Sequence, residues 1–216
     1  MSKIKLPHAS GNSMSIGAPA TNPASDLELK LPATIGTAGQ YLTVDGSGNL
    51  VWADPPGITS VDMWRMPSNA TGAVNPITNW ERVDTTTNSF SQGFIGTGMS
   101  ESSGVFTFPS TGIWYLDFHC VGSTDDAERY FQSAISLSGD TGSNWLNMAW
   151  GYSNHFDASN TTYGNAIATT TVDVTNTSTQ RVRFMAEWAG STSGDSTLGT
   201  TNGNFTTVLF LRLGAT

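Results

Sequence analysis

Val105-Phe106-Thr107-Phe108-Pro109-Ser110-Thr111-Gly112-Ile113-Trp114-Tyr115-Leu116-Asp117-Phe118-His119-Cys120-Val121-Gly122 decides the fold. Two apolar segments flank Pro-Ser-Thr-Gly. Proline fixes φ and glycine permits positive φ, so the economical expectation is two strands paired across a tight turn. Side chains alternate along a strand, which puts Trp114, Leu116, Phe118 and Cys120 on one face and Ile113, Tyr115, Asp117 and His119 on the other. The first face is uniformly apolar and needs a second layer over it. The second is mixed, so the sheet packs hard on one side only, as in a sandwich.

Gly104 to His119 also resembles the signature of C1q/TNF-like jelly-roll domains, in which a Phe-Thr-x-Pro turn precedes Gly-x-Tyr-x-Phe. Trp114 stands where that family has Tyr and Leu116 where it often has Phe. The resemblance implies an all-β jelly-roll sandwich that works as a homotrimer. Composition and periodicity alone give only the sandwich.

Charged residues make up 12% of the 216 residues while Gly, Ser, Thr and Asn abound, which suits short strands and tight turns and argues against a helical bundle. A net charge of −8 disfavours attraction to nucleic acid or to an anionic membrane. The single cysteine, Cys120, excludes an internal disulfide and reads as a small buried hydrophobe. The N-terminus has no apolar leader segment and no run is long enough to cross a bilayer, so neither an ordinary secretory route nor membrane insertion is expected.

Residues 1–57 differ from the rest. Pro7, Pro19, Pro23 and Pro32 break any helix and leave short extended pieces with few apolar contacts, an arm rather than a core. Leu27-Glu28-Leu29-Lys30-Leu31 alternates, and Tyr41-Leu42-Thr43-Val44 leads through Asp-Gly-Ser-Gly-Asn into Leu50-Val51-Trp52-Ala53, a hairpin pattern. A lone hairpin is marginal in water and needs sister chains or a larger surface. Leu31 to Ala53 is similar to an arm found in fibre and appendage proteins of tailed bacteriophages, where it lies between a virion-anchoring end and a distal knob. Leu27, Leu29, Leu31, Tyr41, Leu42 and Trp52 are the expected anchoring residues of the arm.

Asp54-Pro55-Pro56-Gly57 marks the boundary. Residues 58–216 carry expected strands at Thr59–Met66, Asn79–Asp84, Phe90–Ile95, Arg129–Leu137, Trp145–Trp150, Ala166–Val174, Gln180–Trp188 and Phe205–Leu213, besides the opening stretch. That spacing suits two Greek keys. In the last strand Val208 and Phe210 point one way while Leu209, Leu211 and Leu213 point the other, so something covers the second face. The resemblance implies that this cover is a threefold contact, with Leu209, Leu211, Leu213 and Tyr115 at the trimer interface.

No catalytic residue emerges. Gly194-Asp195-Ser196-Thr197-Leu198 resembles the nucleophile block of GDSL-type hydrolases, but His8, His119 and His155 all precede it where that chemistry places its base later; it reads as a turn. Asp45-Gly46-Ser47-Gly48-Asn49 starts like a calcium loop without its sixth-position glycine or distal glutamate. Asp125, Asp126 and Glu128 cluster as hard-cation ligands can, though such runs are usually solvated loops. His155, in Tyr152-Ser153-Asn154-His155-Phe156-Asp157, lies in an aromatic and polar loop of the kind that can touch a sugar. Neither an enzyme, a metal nor a cofactor is expected. The expectation is a virion structural protein: the arm docks on another virion protein, and a trimeric knob turns its loops, Ser153–Thr162 and Ser191–Asn204, toward a host-surface glycan or protein. The alternative is a capsid cement protein clamping shell subunits.

Overall fold

Gly112–Thr124 is one strand whose exposure alternates: Trp114, Leu116, Phe118 and Cys120 are fully buried, and Ile113, Tyr115, Asp117 and His119 are half-buried. The structure, a computed structural model, describes every residue except 1–2, 8–9, 12, 18–19, 22, 25–27, 55–56, 84–85, 88–89, 92, 156–158 and 191; at 3–7, 13–17, 86–87 and 90–91 it describes the backbone alone. The chain divides into two units, Met1–Gly57 and Ile58–Thr216.

The first unit holds β1 (Lys3–Pro7), β2 (Ser13–Gly17), β3 (Tyr41–Val44) and β4 (Leu50–Ala53), paired as two hairpins, β1 with β2 and β3 with β4. In the second hairpin Asp45 staples the turn: its Oδ1 accepts from the backbone N–H of Ser47 and of Asn49, each at 2.9 Å, and its Oδ2 from Asn49 Nδ2 at 3.0 Å. Those bonds, the Asn49 side chain first, hold the carboxyl below the usual carboxylate range. The Asp-Gly-Ser-Gly-Asn segment forms the turn of the expected hairpin.

The second unit contains β5 (Val61–Arg65), β6 (Ser68–Thr71), β7 (Glu81–Arg82), β8 (Thr86–Thr87), β9 (Phe90–Ser91), β10 (Ser100–Ser102), β11 (Val105–Thr107), β12 (Gly112–Thr124), β13 (Glu128–Ser138), β14 (Leu146–His155), β15 (Thr162–Val174), β16 (Arg181–Trp188), β17 (Ser196–Thr200) and β18 (Thr207–Gly214). The smaller sheet runs β10-β11-β16-β13-β14. The larger is built on β12, which pairs along one edge with β15 and along the other with β18 and then β17; β5 and β7 lie beyond β18, and β6 beyond β17. A pair of short strands, β8 with β9, stands apart.

The opening stretch does not form the expected hairpin. β11 takes β10 and β16 as partners in the smaller sheet, whereas β12 belongs to the larger one, so Pro109-Ser110-Thr111-Gly112 carries the chain between layers. Phe108 and Trp114 close that corner, ring centroids 5.6 Å apart, and Trp114 Nε1 donates to Ser110 O at 3.1 Å. Turn chemistry alone cannot separate a hairpin from a crossover. The partner of β11 is instead made by Ser103-Gly104, a two-residue turn with φ of 53° and 83° that folds β10 back onto it.

Aromatic rings from both layers make the core. Phe106 and Phe184 of the smaller sheet meet Phe210 and Phe118 of the larger at 5.2 and 5.0 Å, and Trp80 touches Phe106, Phe118 and Phe184. At one end of the core the rings need a floor without side chains. A Cβ at Gly122 would lie 2.6 Å from Trp188 Cζ2 and 3.0 Å from Phe131 Cε1. Glycine inside a strand ordinarily costs stability relative to alanine. Here the sign reverses: Gly122→Ala is expected to lower unfolding stability by about 1–3 kcal/mol, the range for overpacking, read from chemical denaturation.

Candidate functional site

The outer face of the larger sheet is built by alternation. Because Val208 and Phe210 turn into the core, Leu209 and Leu211 turn outward, and the ladder sets them in rows across four strands: Val61–Leu211–Tyr115–Thr171 and Met63–Leu209–Asp117–Thr169. Val61, Met63, Leu209, Leu211 and Tyr115 thus form one apolar patch, half-buried within the single chain. Leu213 follows at the strand's end and is 54% exposed. His119 lies on the same face, its Nε2 3.2 Å from Asp117 Oδ1.

A second apolar surface has no counterpart in the expectations. Leu146, Met148, Trp150 and Tyr152 alternate outward along β14, and all are exposed, Trp150 by 50% and Tyr152 by 60%. On β15, Tyr163 and Ile167 are exposed as well. The two strands abut at Gly151, where any side chain would strike the Ile167 backbone, so both sets of exposed residues meet along the edge where the sheets close on each other. The signal was present as period-two alternation of Leu146, Met148, Trp150 and Tyr152.

Several expected features sit elsewhere. Ser153–His155 belongs to β14, and His155 is 1% exposed, so it cannot present itself to a sugar. Phe156 and Asp157 lie outside the described residues. Within Ser191–Asn204, Ser196–Thr200 is a strand with a buried centre, not an outward loop, because β12 and β6 flank it on both sides. Asp195 of the Gly-Asp-Ser segment is fully buried and Ser196 begins that strand, opposite Ser123. Cys120 is buried and burial pushes its thiol up. Asp126 Oδ2 accepts from Thr192 Oγ1 at 2.6 Å, and among the described residues no three His, Cys, Asp or Glu side chains gather as a metal site.

In the first unit Trp52 Nε1 donates to Thr34 O at 2.8 Å, and Gly36 lies against the indole ring, where a Cβ would fall 2.6 Å from Cδ2. Around this fold-back Leu29, Leu31, Ile35, Tyr41, Leu42, Val44 and Trp52 remain exposed, Leu31 by 77%. Leu27 lies outside the described residues.

No family model matches the chain, and no curated protein matches it. Among solved structures it is similar to murine APRIL at pH 5.0, with 12% identity over 71% of this chain and 98% of that one at a TM-score of 0.50. It is also similar to Eiger TNF from S. frugiperda, with 10% identity over 72% of this chain and 93% of that one at a TM-score of 0.50. At such identities the likeness is one of fold: the sandwich is a TNF-like jelly roll.

Proposed function

We propose that this chain is a structural protein of a tailed-phage particle, anchored by its N-terminal unit and ending in a trimeric jelly-roll knob that contacts the host surface. The observation that carries the trimer is the pair of unpartnered apolar faces on one sandwich, Val61/Met63/Leu209/Leu211/Tyr115 and the β14–β15 edge. Contiguous exposed apolar surface of this kind marks an interaction site. Two different patches on one subunit meet heterologously, each copy's edge on its neighbour's face, and a closed ring leaves neither wet. The TNF-like fold and the resemblance of Gly104 to His119 support three as the number that closes it.

The anchoring role is supported by the likeness of Leu31 to Ala53 to phage fibre arms and by the apolar side chains this unit leaves in solvent. Docking covers them. Three copies in one knob multiply weak contacts with a repetitive cell surface. Gold-labelled antibody against the knob, applied to intact phage particles that carry the chain, is expected to mark the tail or its appendages. Label confined to seams of the capsid shell contradicts adhesion and favours a clamp between shell subunits.

A further inference from the structure

One end of the sandwich buries a polar cluster beneath its loops. Gly122 and Gly164 face each other across β12 and β15, and the space they leave takes two rings: Trp188 lies over Gly122 and His155 over Gly164, with ring centroids 5.1 Å apart. Phe131 packs on Trp188 at 4.3 Å and meets His155 edge-on at 6.2 Å. His155 Nδ1 lies 2.9 Å from Thr162 Oγ1. Its Nε2 is buried with no partner among the described residues, and so are Trp188 Nε1, Asp195 Oδ1 and Thr197 Oγ1.

The charged surroundings are acidic. Glu128 on β13 stands opposite His155 in the ladder and is 5% exposed; Asp195, just before β17, is 0% exposed. Asp125 and Asp126 occupy the turn before β13. Among the described residues no Lys or Arg pairs with any of these four carboxylates. β12 contributes Thr124, β15 Thr162 and Gly164, and β16 Trp188, none of them charged. The loop above hangs on two of the acids: Thr192 N–H donates to Asp195 Oδ2 at 2.6 Å, and Thr192 Oγ1 donates to Asp126 Oδ2 at 2.6 Å.

We propose that His155, Glu128 and Asp195 form an acid-operated latch, in which a proton taken up by the buried imidazole releases the loop held at Thr192 while the rest of the sandwich stays folded. In the neutral ring only one nitrogen carries a hydrogen. The second proton makes both nitrogens donors, places a charge against the rings of Trp188 and Phe131, and leaves the unpartnered Asp195 Oδ1 as the buried acceptor it can draw on. His155 Nε2 and Asp195 Oδ1 are both without a partner among the described residues in the closed form, so bonding them requires the carboxylate to swing toward the ring, which draws Oδ2 away from the Thr192 N–H. Burial holds the imidazole below its ordinary value of 6.5, with the charge on Asp195 pulling the other way. The closed form is therefore fully stable above that ordinary value and weakens as pH falls toward the lower value of the closed state.

The test is amide hydrogen exchange on the full chain at about pH 7.5 and about pH 5, corrected for intrinsic rates. Exchange at 124–128 and 192–195 is expected to quicken about tenfold for each unit by which the closed-state pKa lies below the ordinary one, with β12 and β18 unchanged. His155→Gln, which cannot titrate, is expected to abolish that dependence. An unchanged response in His155→Gln, or no response in the wild type, overturns the latch. Should His155→Gln not fold, the wild-type imidazole is titrated by NMR. Its midpoint coincides with that of the loop amides if the latch is right, and a separate midpoint refutes it.

Discussion

Leu211→Asp is expected to turn a three-chain assembly into single folded chains. Leu211 sits at the centre of the outward patch, between Val61 on β5 and Tyr115 on β12, while its neighbours Val208 and Phe210 face the opposite way into the core. The substitution therefore strikes the assembly surface and spares the packing of the sandwich. Burying a leucine contributes about 2 kcal/mol, and the change occurs three times per assembly, so association weakens by about four orders of magnitude before the cost of burying the carboxylate is added. Light scattering reads the mass, and an unchanged near-ultraviolet dichroism shows that the aromatic core is intact. Trp150→Asp, on the other face, is expected to dissociate the assembly in the same way. Trimers that persist in both variants would remove these faces from the interface.

The largest effect on folding is expected at Asp62. Its carboxylate is fully buried beneath the larger sheet and accepts four bonds: Arg82 Nε at 2.9 Å, Arg82 Nη2 at 3.2 Å, Trp64 Nε1 at 2.9 Å and Met99 N at 2.7 Å. Arg82 in turn donates to Met99 O and lies over the rings of Trp64 and Phe94. One acid thereby ties β5, β7 and the segment before β10. Asp62→Ala leaves a guanidinium and two N–H groups without their acceptor, and removing one partner of a buried pair costs about 3–5 kcal/mol. Denaturant unfolding at fixed protein concentration measures it. A loss below about 1 kcal/mol would mean that water takes over the role of the carboxylate.

The alternation at Trp114, Leu116, Phe118 and Cys120, and that at Val208 and Phe210, could be read directly, because burial on one face of a strand writes itself into every second residue. Connections were less legible. Pro109 to Gly112 has the same residues whether the chain folds back or crosses to another layer, and the deciding partner, β16, lies more than seventy residues later. Ser196–Thr200 shows no apolar alternation; it is a strand because β12 and β6 offer it edges. The expected strand Trp145–Trp150 ends before Gly151, whereas β14 runs through it to His155. That glycine is there because the backbone of β15 passes against it, a close approach that no reading of β14 alone reveals. Asp62 likewise gives no sign in Val61-Asp62-Met63 of partners at Arg82 and Met99.

Association through the two apolar faces is the claim on which the proposed function rests, and the mass of the full-length wild-type chain in solution tests it most directly. Light scattering across a dilution series is expected to give three chains per particle at every concentration above the dissociation constant. A mass of one chain throughout, with Leu209, Leu211 and Trp150 left in water, would contradict it.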